Sequence, residues 1–232
     1  MSSVREWPAP PGTATPKRRP PRDPHMTRSQ EVQNLIDMLE AEAATDRDPE
    51  ATPEVGIIMG SDSDLEAMYG AYEALTELGF AEVTDYDDPP EARFTFETYV
   101  VSAHRTPELM YAYGETARER GLNVIIAGAG GKSADLPNMT ASIAYPLPVV
   151  GVPVQEKSVD SVVGMPTGAP IVAVDAGKSF NAALSTVQIL SRAHPELADR
   201  LEAYHDDLQD GVGEVSAQLH GSGTERFRAD RE

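Results

Sequence analysis

One apolar run, Val55 to Met59 (VGIIM), constrains the fold more than any other feature of the chain. It has no polar face, so a strand formed there must be covered on both sides, as the strands of parallel sheets are. Similar short runs predict four further strands, at Thr98–Val101, Val124–Ala127, Val149–Val152 and Ile171–Val174. Each is separated from the next by enough residues to form a helix.

Segments with helical periodicity occupy most of these gaps. The predicted helices span residues 64–78, 107–120, 134–143, 178–193 and 196–217. Strands that alternate with helices predict an α/β fold, here a three-layer, doubly wound parallel sheet with an extra C-terminal helix. In such sheets ligands bind beyond the carboxyl ends of the strands, so the segments that follow the strands are the candidate functional loops.

The folded domain is predicted to span residues 55–217. Residues 1–54 should comprise a disordered basic and proline-rich tail, a short helix and an acidic linker, because seven prolines in residues 1–25 prevent helix hydrogen bonding. Residues 218–232 are expected to form a polar C-terminal tail. The acidic segment of residues 81–93 is predicted to be an inserted, solvated loop, since its carboxylate spacing matches no calcium-binding loop.

The charge balance argues against nucleic-acid partners. The chain has 38 acidic and 19 basic residues, a net charge of -19, and the first 28 residues contain only two of the acids but six of the bases. The remainder therefore has 36 acids against 13 bases, a net charge of -23, and this repels nucleic-acid phosphates. Only four lysines occur, and an acidic, lysine-poor surface predicts a halophilic protein whose self-repulsion is screened by salt. An ordinary acidic protein is the alternative.

Composition also bears on location. The chain has no cysteine. It has no apolar run of the roughly 18 residues that a membrane span needs, and no signal-peptide pattern. These features predict a cytoplasmic protein without a membrane partner.

Three candidate loops follow predicted strands, and the first is Gly60 to Asp64 (GSDSD). The Ser61 hydroxyl and the free N–H groups of the following helix can bind an anion. Asp64 would repel a phosphate, so it suits a ribose hydroxyl. Simple helix capping by Ser and Asp explains the same residues equally well.

The second loop is Ser102 to Pro107 (SAHRTP). Arg105 offers a planar cationic fork for a phosphate. His104 is the only histidine at a predicted strand end, where an imidazole can exchange a proton near neutral pH, although a structural role is the common alternative. The other histidines lie in the tail or in polar C-terminal segments and are poor candidates: His25, His194, His205 and His220.

The third loop, within Ala127 to Met139 (AGAGGKSADLPNM), is rich in glycine, which allows the backbone to approach a ligand closely. It lacks the dinucleotide-binding fingerprint. It also lacks the spacing of a phosphate-binding loop, because Ile126 and not a glycine stands five residues before Gly131. The sequence therefore predicts neither NAD nor ATP binding.

Together these loops resemble those of the N5-carboxyaminoimidazole ribonucleotide mutases of purine biosynthesis. The resemblance covers residues 55–217, and the ordered run Ser-Ala-His-Arg-Thr-Pro is its most specific part. It extends through further matching segments: Leu136-Pro137, Val152 to Gln155 and Met165 to Gly168.

The resemblance implies a flavodoxin-like fold, a homo-octamer with active sites where subunits meet, and no metal or organic cofactor. It implies a small ribonucleotide substrate supplied by an ATP-dependent carboxyaminoimidazole ribonucleotide synthetase. His104 would be the catalytic residue, carrying the proton between the substrate's nitrogen and ring carbon. The implied substrate-binding residues are Ser61, Asp64, Ser102, Arg105, Gly128, Gly130 and Gly131.

Two departures from the family pattern leave questions open. The stretch between Gln155 and Met165 is shorter than in the common form of the family. Asp135 stands where the family has a second histidine, after a one-residue insertion, and its role is not defined by the sequence. A sister group carboxylates aminoimidazole ribonucleotide directly with CO2, and its loop has Ser-Ala-His-Lys-Gly-Pro, so Arg105-Thr106 favours the mutase. Direct carboxylation and a non-catalytic nucleotide-binding module are the alternatives.

Overall fold

The computed structural model describes residues 29–231 and contains one six-stranded, all-parallel sheet. The strand order is β2-β3-β1-β4-β5-β6. The strands are β1 Val55–Met59, β2 Ala81–Glu82, β3 Thr95–Val100, β4 Val124–Ala129, β5 Val149–Pro153 and β6 Val172–Ala173. Without the short edge strand β2, this is the flavodoxin-like order, which confirms the predicted fold class.

Eight helices within residues 29–231 connect and cover the sheet: α1 Gln30–Ala43, α2 Leu65–Glu77, α3 Pro107–Thr116, α4 Leu136–Ile143, α5 Val159–Val163, α6 Ser179–Leu190, α7 Pro195–Ser222 and α8 Thr224–Ala229. Proline opens α3 and α7, where the missing N–H costs nothing. None of these helices combines the length and apolarity needed to span a membrane.

The two faces of the sheet have separate apolar cores, because side chains alternate along each strand. In β1, Ile57 faces the core shared with α2, α6 and α7, and Ile58 faces the core shared with α1, α3 and α4. Burial of all five residues of β1 agrees with the prediction that this strand is covered on both sides.

The N-terminal helix α1 packs onto the domain. Its Ile36 and Leu39 are buried in the same core as residues of α3. The apolar core of the described residues therefore includes α1, which precedes the predicted domain start at Val55. The predicted tail of residues 1–25 lies outside the described residues.

The segment of residues 81–93 is more structured than the predicted solvated loop. Ala81–Glu82 pairs with β3, Val83 is buried, and the Tyr86 hydroxyl donates a hydrogen bond to Glu97. Burial and the nearby Glu97 charge raise the pKa of Tyr86, which keeps its hydroxyl a donor. Asp87 accepts a hydrogen bond from Arg47 at 3.0 Å.

A charged pair is buried beneath this segment. Arg120 and Glu97 are each 1% exposed, and Arg120 Nη1 lies 2.6 Å from Glu97 Oε1. Glu97 belongs to β3, and Arg120 follows α3. The pair therefore ties a strand to the segment after its neighbouring helix.

The C-terminal helix is longer than the predicted 196–217. It continues to Ser222 and is followed by α8, so helical structure extends into the predicted polar tail. Beyond Tyr204, this helix is exposed up to Gly221, and it has an apolar stripe there: Leu208, Val212, Val215 and Leu219.

Candidate active site

A cleft of about 500 Å³ lies at the carboxyl ends of the strands. The loops after β1, β3 and β4 meet there, at the edge where parallel α/β sheets bind ligands. The three loops singled out from the sequence thus share one site. Its lining residues are Gly60, Ser61, Ser63, Asp64, Ser102, Ala103, His104, Arg105, Ala129, Gly130, Gly131, Ser133, Asp135, Leu136, Gln155 and Lys157.

The loop after β1 combines a capping serine with a buried carboxyl group. Ser61 Oγ accepts a hydrogen bond from Ser63 N at 3.4 Å, so this serine does cap the short turn that follows. Asp64 is 7% exposed and makes no side-chain capping bond to α2. Its burial raises the pKa of the carboxyl group, although the Ser61 backbone and the Arg105 charge oppose this. Capping therefore does not account for the Asp64 side chain.

Arg105 joins the loops after β1 and β3. Its Nη2 donates to the carbonyl oxygen of Gly60 at 2.9 Å, and its Nε donates to Ser102 Oγ at 3.3 Å. Ser102 Oγ also accepts from the backbone N–H of Arg105 at 3.2 Å. These bonds hold the guanidinium at the cleft, where its remaining N–H groups can bind an anion.

His104 lies on the loop after β3 and is well exposed to the cleft, with 62% of its side chain accessible. Its Nε2 is 3.1 Å from Oδ2 of Asp135, which precedes α4. An exposed imidazole with one nitrogen engaged has its other nitrogen available for a substrate proton.

The glycines predicted to bind substrate have different surroundings. Gly130 and Gly131 line the cleft, and Gly131 has a φ of +86°, which side chains rarely adopt. Gly128 does not reach the cleft. It lies within β4, where an added Cβ would come within 2.1 Å of Met68 Sδ, so its lack of a side chain serves packing against α2.

Five polar residues of the cleft were missing from the predicted site: Ser63, Ser133, Asp135, Gln155 and Lys157. Gln155 and Lys157 lie just after β5, and their strand-end position was a signal for both. Gln155 also belongs to the matching segment Val152 to Gln155. The sequence marks Asp135 only as the residue at the position of the family's second histidine. Its contact with His104 joins two segments that are 31 residues apart.

A second cavity, of about 480 Å³, lies at the opposite edge of the sheet. Its lining includes Glu54 and Asn123, which precede β1 and β4. None of the three sequence motifs contributes to it, so the carboxyl-edge cleft remains the candidate site.

We expect Arg105→Lys to raise the KM for a phosphorylated substrate about tenfold with little change in kcat. Lysine keeps the positive charge but lacks the planar guanidinium. That group hydrogen bonds to Gly60 and Ser102 while its other N–H groups remain available to the ligand. Steady-state kinetics check this, with Arg118→Lys on the opposite edge as the matched control. An unchanged KM would remove Arg105 from substrate binding.

Fold and cleft define a class: a flavodoxin-like α/β protein whose carboxyl-edge cleft holds an arginine beside an exposed histidine. Comparison with known proteins shows the family. A family model described as AIR carboxylase matches residues 54–211. The N5-carboxyaminoimidazole ribonucleotide mutase of Mycobacterium tuberculosis strain H37Rv is 47% identical over 173 residues, covering 72% of this chain and 90% of that protein.

The mutase of the same name from Aquifex aeolicus is 51% identical over 156 residues, covering 65% of this chain and 84% of that protein. The crystal structure of Treponema denticola PurE has the same fold, with a TM-score of 0.58, 23% identity, and coverage of 72% of this chain and 98% of that one. The chain belongs to the AIR carboxylase family. The predicted family resemblance is confirmed.

Proposed function

We propose that this chain is an isomerase of purine biosynthesis that moves the carboxyl group of N5-carboxyaminoimidazole ribonucleotide from nitrogen to ring carbon C4. The observation that carries this proposal is the cleft itself, in which His104 and Arg105 lie together on one loop beside the glycine turn of β4. The relatives named as mutases, at 47% and 51% identity, support the reaction.

His104 carries the proton in this reaction. It protonates the carbamate nitrogen as the N–C bond breaks and CO2 is released within the cleft. The electron-rich C4 then attacks the CO2 and forms the new C–C bond. His104, now neutral, removes the proton left on C4, so no proton is gained or lost overall. One side chain thus acts as acid and then as base, a role that imidazole can fill near neutral pH.

The remaining cleft residues hold the ribonucleotide. Arg105, with Ser61 and Ser102, binds its phosphate, and Asp64 accepts a hydrogen bond from a ribose hydroxyl. Gly130 and Gly131 allow the imidazole ring to approach the backbone of the β4 loop. Ser61 and Arg105 lie in the same cleft as His104, which supports this arrangement.

The test is a comparison of two substrates at matched enzyme concentration. N5-carboxyaminoimidazole ribonucleotide should be converted without ATP, and aminoimidazole ribonucleotide with bicarbonate should give a kcat/KM at least about 100-fold lower. Faster carboxylation of aminoimidazole ribonucleotide would instead favour direct carboxylation. Binding of both ribonucleotides without turnover would favour a nucleotide-binding module.

We further propose that the enzyme is a homo-octamer in which a neighbouring subunit covers the cleft. The exposed apolar stripe of α7, from Leu208 to Leu219, supports association, since such a stripe is normally buried against another surface. Sedimentation velocity should show eight chains.

We place the enzyme in the cytoplasm beside an ATP-dependent synthetase that makes the carbamate, because a phosphorylated intermediate does not cross membranes unaided.

We also propose that the protein is adapted to high salt, because residues 29–232 have a net charge of -23. Dissolved ions screen repulsion between exposed charges, with a Debye length of about 10 Å at 0.1 M and about 3 Å at 1 M. The melting temperature should therefore rise between 0.1 and 2 M KCl. A melting temperature that stays flat over this range would contradict the proposal.

A further inference from the structure

The carboxylate of Asp135 is held between His104 and a second helix. Its Oδ2 is 3.1 Å from His104 Nε2, and its Oδ1 accepts a hydrogen bond from Ser161 Oγ at 3.1 Å. Ser161 belongs to α5, and its backbone carbonyl accepts a hydrogen bond from Asn138 Nδ2 at 2.9 Å. Two separate segments, the loop after β3 and α5, therefore fix the direction in which the carboxylate points.

The residues that follow Asp135 leave its carboxylate free to contact His104. Asp135 occupies the N-cap position of α4, where an aspartate usually accepts a hydrogen bond from the first turn, yet its side chain makes no such bond. Pro137 in that turn has no N–H to donate. The Asp135 backbone is nevertheless anchored, because its carbonyl accepts from Met139 N at 3.0 Å.

We propose that Asp135 is a positioning residue that holds the proton of neutral His104 on Nε2, so that Nδ1 is the nitrogen that exchanges a proton with the substrate. This inference rests on the proposed function. A carboxylate only accepts hydrogen bonds, so the contact requires Nε2 to be the donor. A neutral imidazole has one N–H, and Nδ1 is then left with its lone pair.

The contact between Asp135 and His104 also favours the cationic form of the His104 ring. When Nδ1 takes the proton from C4, the ring becomes a cation, and the Asp135 carboxylate lies beside it. The hydrogen bond then becomes charge-assisted and stronger than the one to the neutral ring. Asp135 thus orients the His104 ring when the ring is neutral and stabilises it when the ring is cationic, without touching the substrate's reacting atoms.

Kinetics of Asp135→Asn are the first test. The amide has the same shape but can both donate and accept, so it no longer selects one tautomer. We expect kcat to fall about 10- to 100-fold, the rate equivalent of a hydrogen bond to a charged group, with KM unchanged. Asp160→Asn, an exposed aspartate on α5, is the matched control and should keep wild-type kinetics.

Combining variants separates positioning from a merely structural effect. If Asp135 acts only through His104, then Asp135→Asn should cost less than about twofold in kcat when made in the His104→Asn protein. An unchanged kcat in the single variant would overturn the inference. So would an equal loss in both backgrounds, which would mean that Asp135 acts independently of His104.

The tautomer itself gives a readout that needs no substrate. In protein labelled with ¹⁵N-histidine, at a pH where the ring is neutral, His104 should show its proton on Nε2, with His104→Asn identifying the signal. Asp135→Asn should shift the signal towards a mixture of tautomers. A proton on Nδ1 in the wild type, or an unchanged spectrum in the variant, would overturn the inference. Failure of the wild type to convert the carbamate would overturn only the proposed function.

Discussion

Replacing His104 with asparagine is expected to lower kcat by about 10²- to 10⁴-fold, the usual contribution of a general acid–base group. Asparagine has similar size and can hydrogen bond, but it cannot carry a proton at neutral pH. Ribonucleotide binding should change little, because Arg105 and Asp64 remain in the cleft. The measurement is steady-state turnover together with the affinity for the product, determined by calorimetry.

His205→Asn is the matched control, since this histidine is exposed on α7. It should retain wild-type turnover. Wild-type turnover by His104→Asn would show that another group carries the proton, and Asp135 is the first candidate because it contacts the ring. A greater loss in Asp135→Asn than in His104→Asn would have the same meaning.

Replacing Arg120 with methionine is expected to destabilise the fold by about 3–5 kcal/mol, because it leaves Glu97 as an uncompensated buried charge. At roughly 2–4 °C per kcal/mol for a domain of this size, the melting temperature should drop by about 6–20 °C. Glu97 is 1% exposed, so water cannot replace the lost guanidinium. Thermal and denaturant unfolding measure the change.

Two further variants test whether the loss of stability in Arg120→Met comes from the buried pair. Arg118→Met, two residues earlier and exposed, should change stability by less than about 0.5 kcal/mol. Adding Glu97→Gln to Arg120→Met removes the orphan charge and should recover more than about 1 kcal/mol. Equal losses for Arg118→Met and Arg120→Met would show that the buried pair has no special role.

Much of the sheet was predictable because a strand that is buried on both faces is apolar throughout its length. The run from Val55 to Met59 is apolar throughout and forms β1 with those bounds. The first residues of β3 have no such apolar pattern and could not be predicted from the sequence. Thr95 and Glu97 are polar yet 2% and 1% exposed. Glu97 tolerates burial because Arg120, 23 residues further along the chain, lies against it and the Tyr86 hydroxyl donates to it.

The candidate site was predictable in outline for a similar reason. Parallel strands bring their following loops to one edge, so Ser61, His104 and Gly130 could be grouped before their geometry was known. The sequence could not separate Gly128 from its neighbours, since only the position of Met68 shows that this glycine serves packing. The pairing of Asp135 with His104 depends in the same way on tertiary contact.

The fate of the carboxyl carbon tests the proposed reaction most directly. N5-carboxyaminoimidazole ribonucleotide labelled with ¹³C in the carbamate is incubated with enzyme in unlabelled bicarbonate, and the product is analysed by mass spectrometry and ¹³C NMR. Carboxyl transfer within the cleft predicts that nearly all of the label appears in the C4 carboxyl group. Product carrying unlabelled carboxyl carbon from the solution would contradict the mutase assignment.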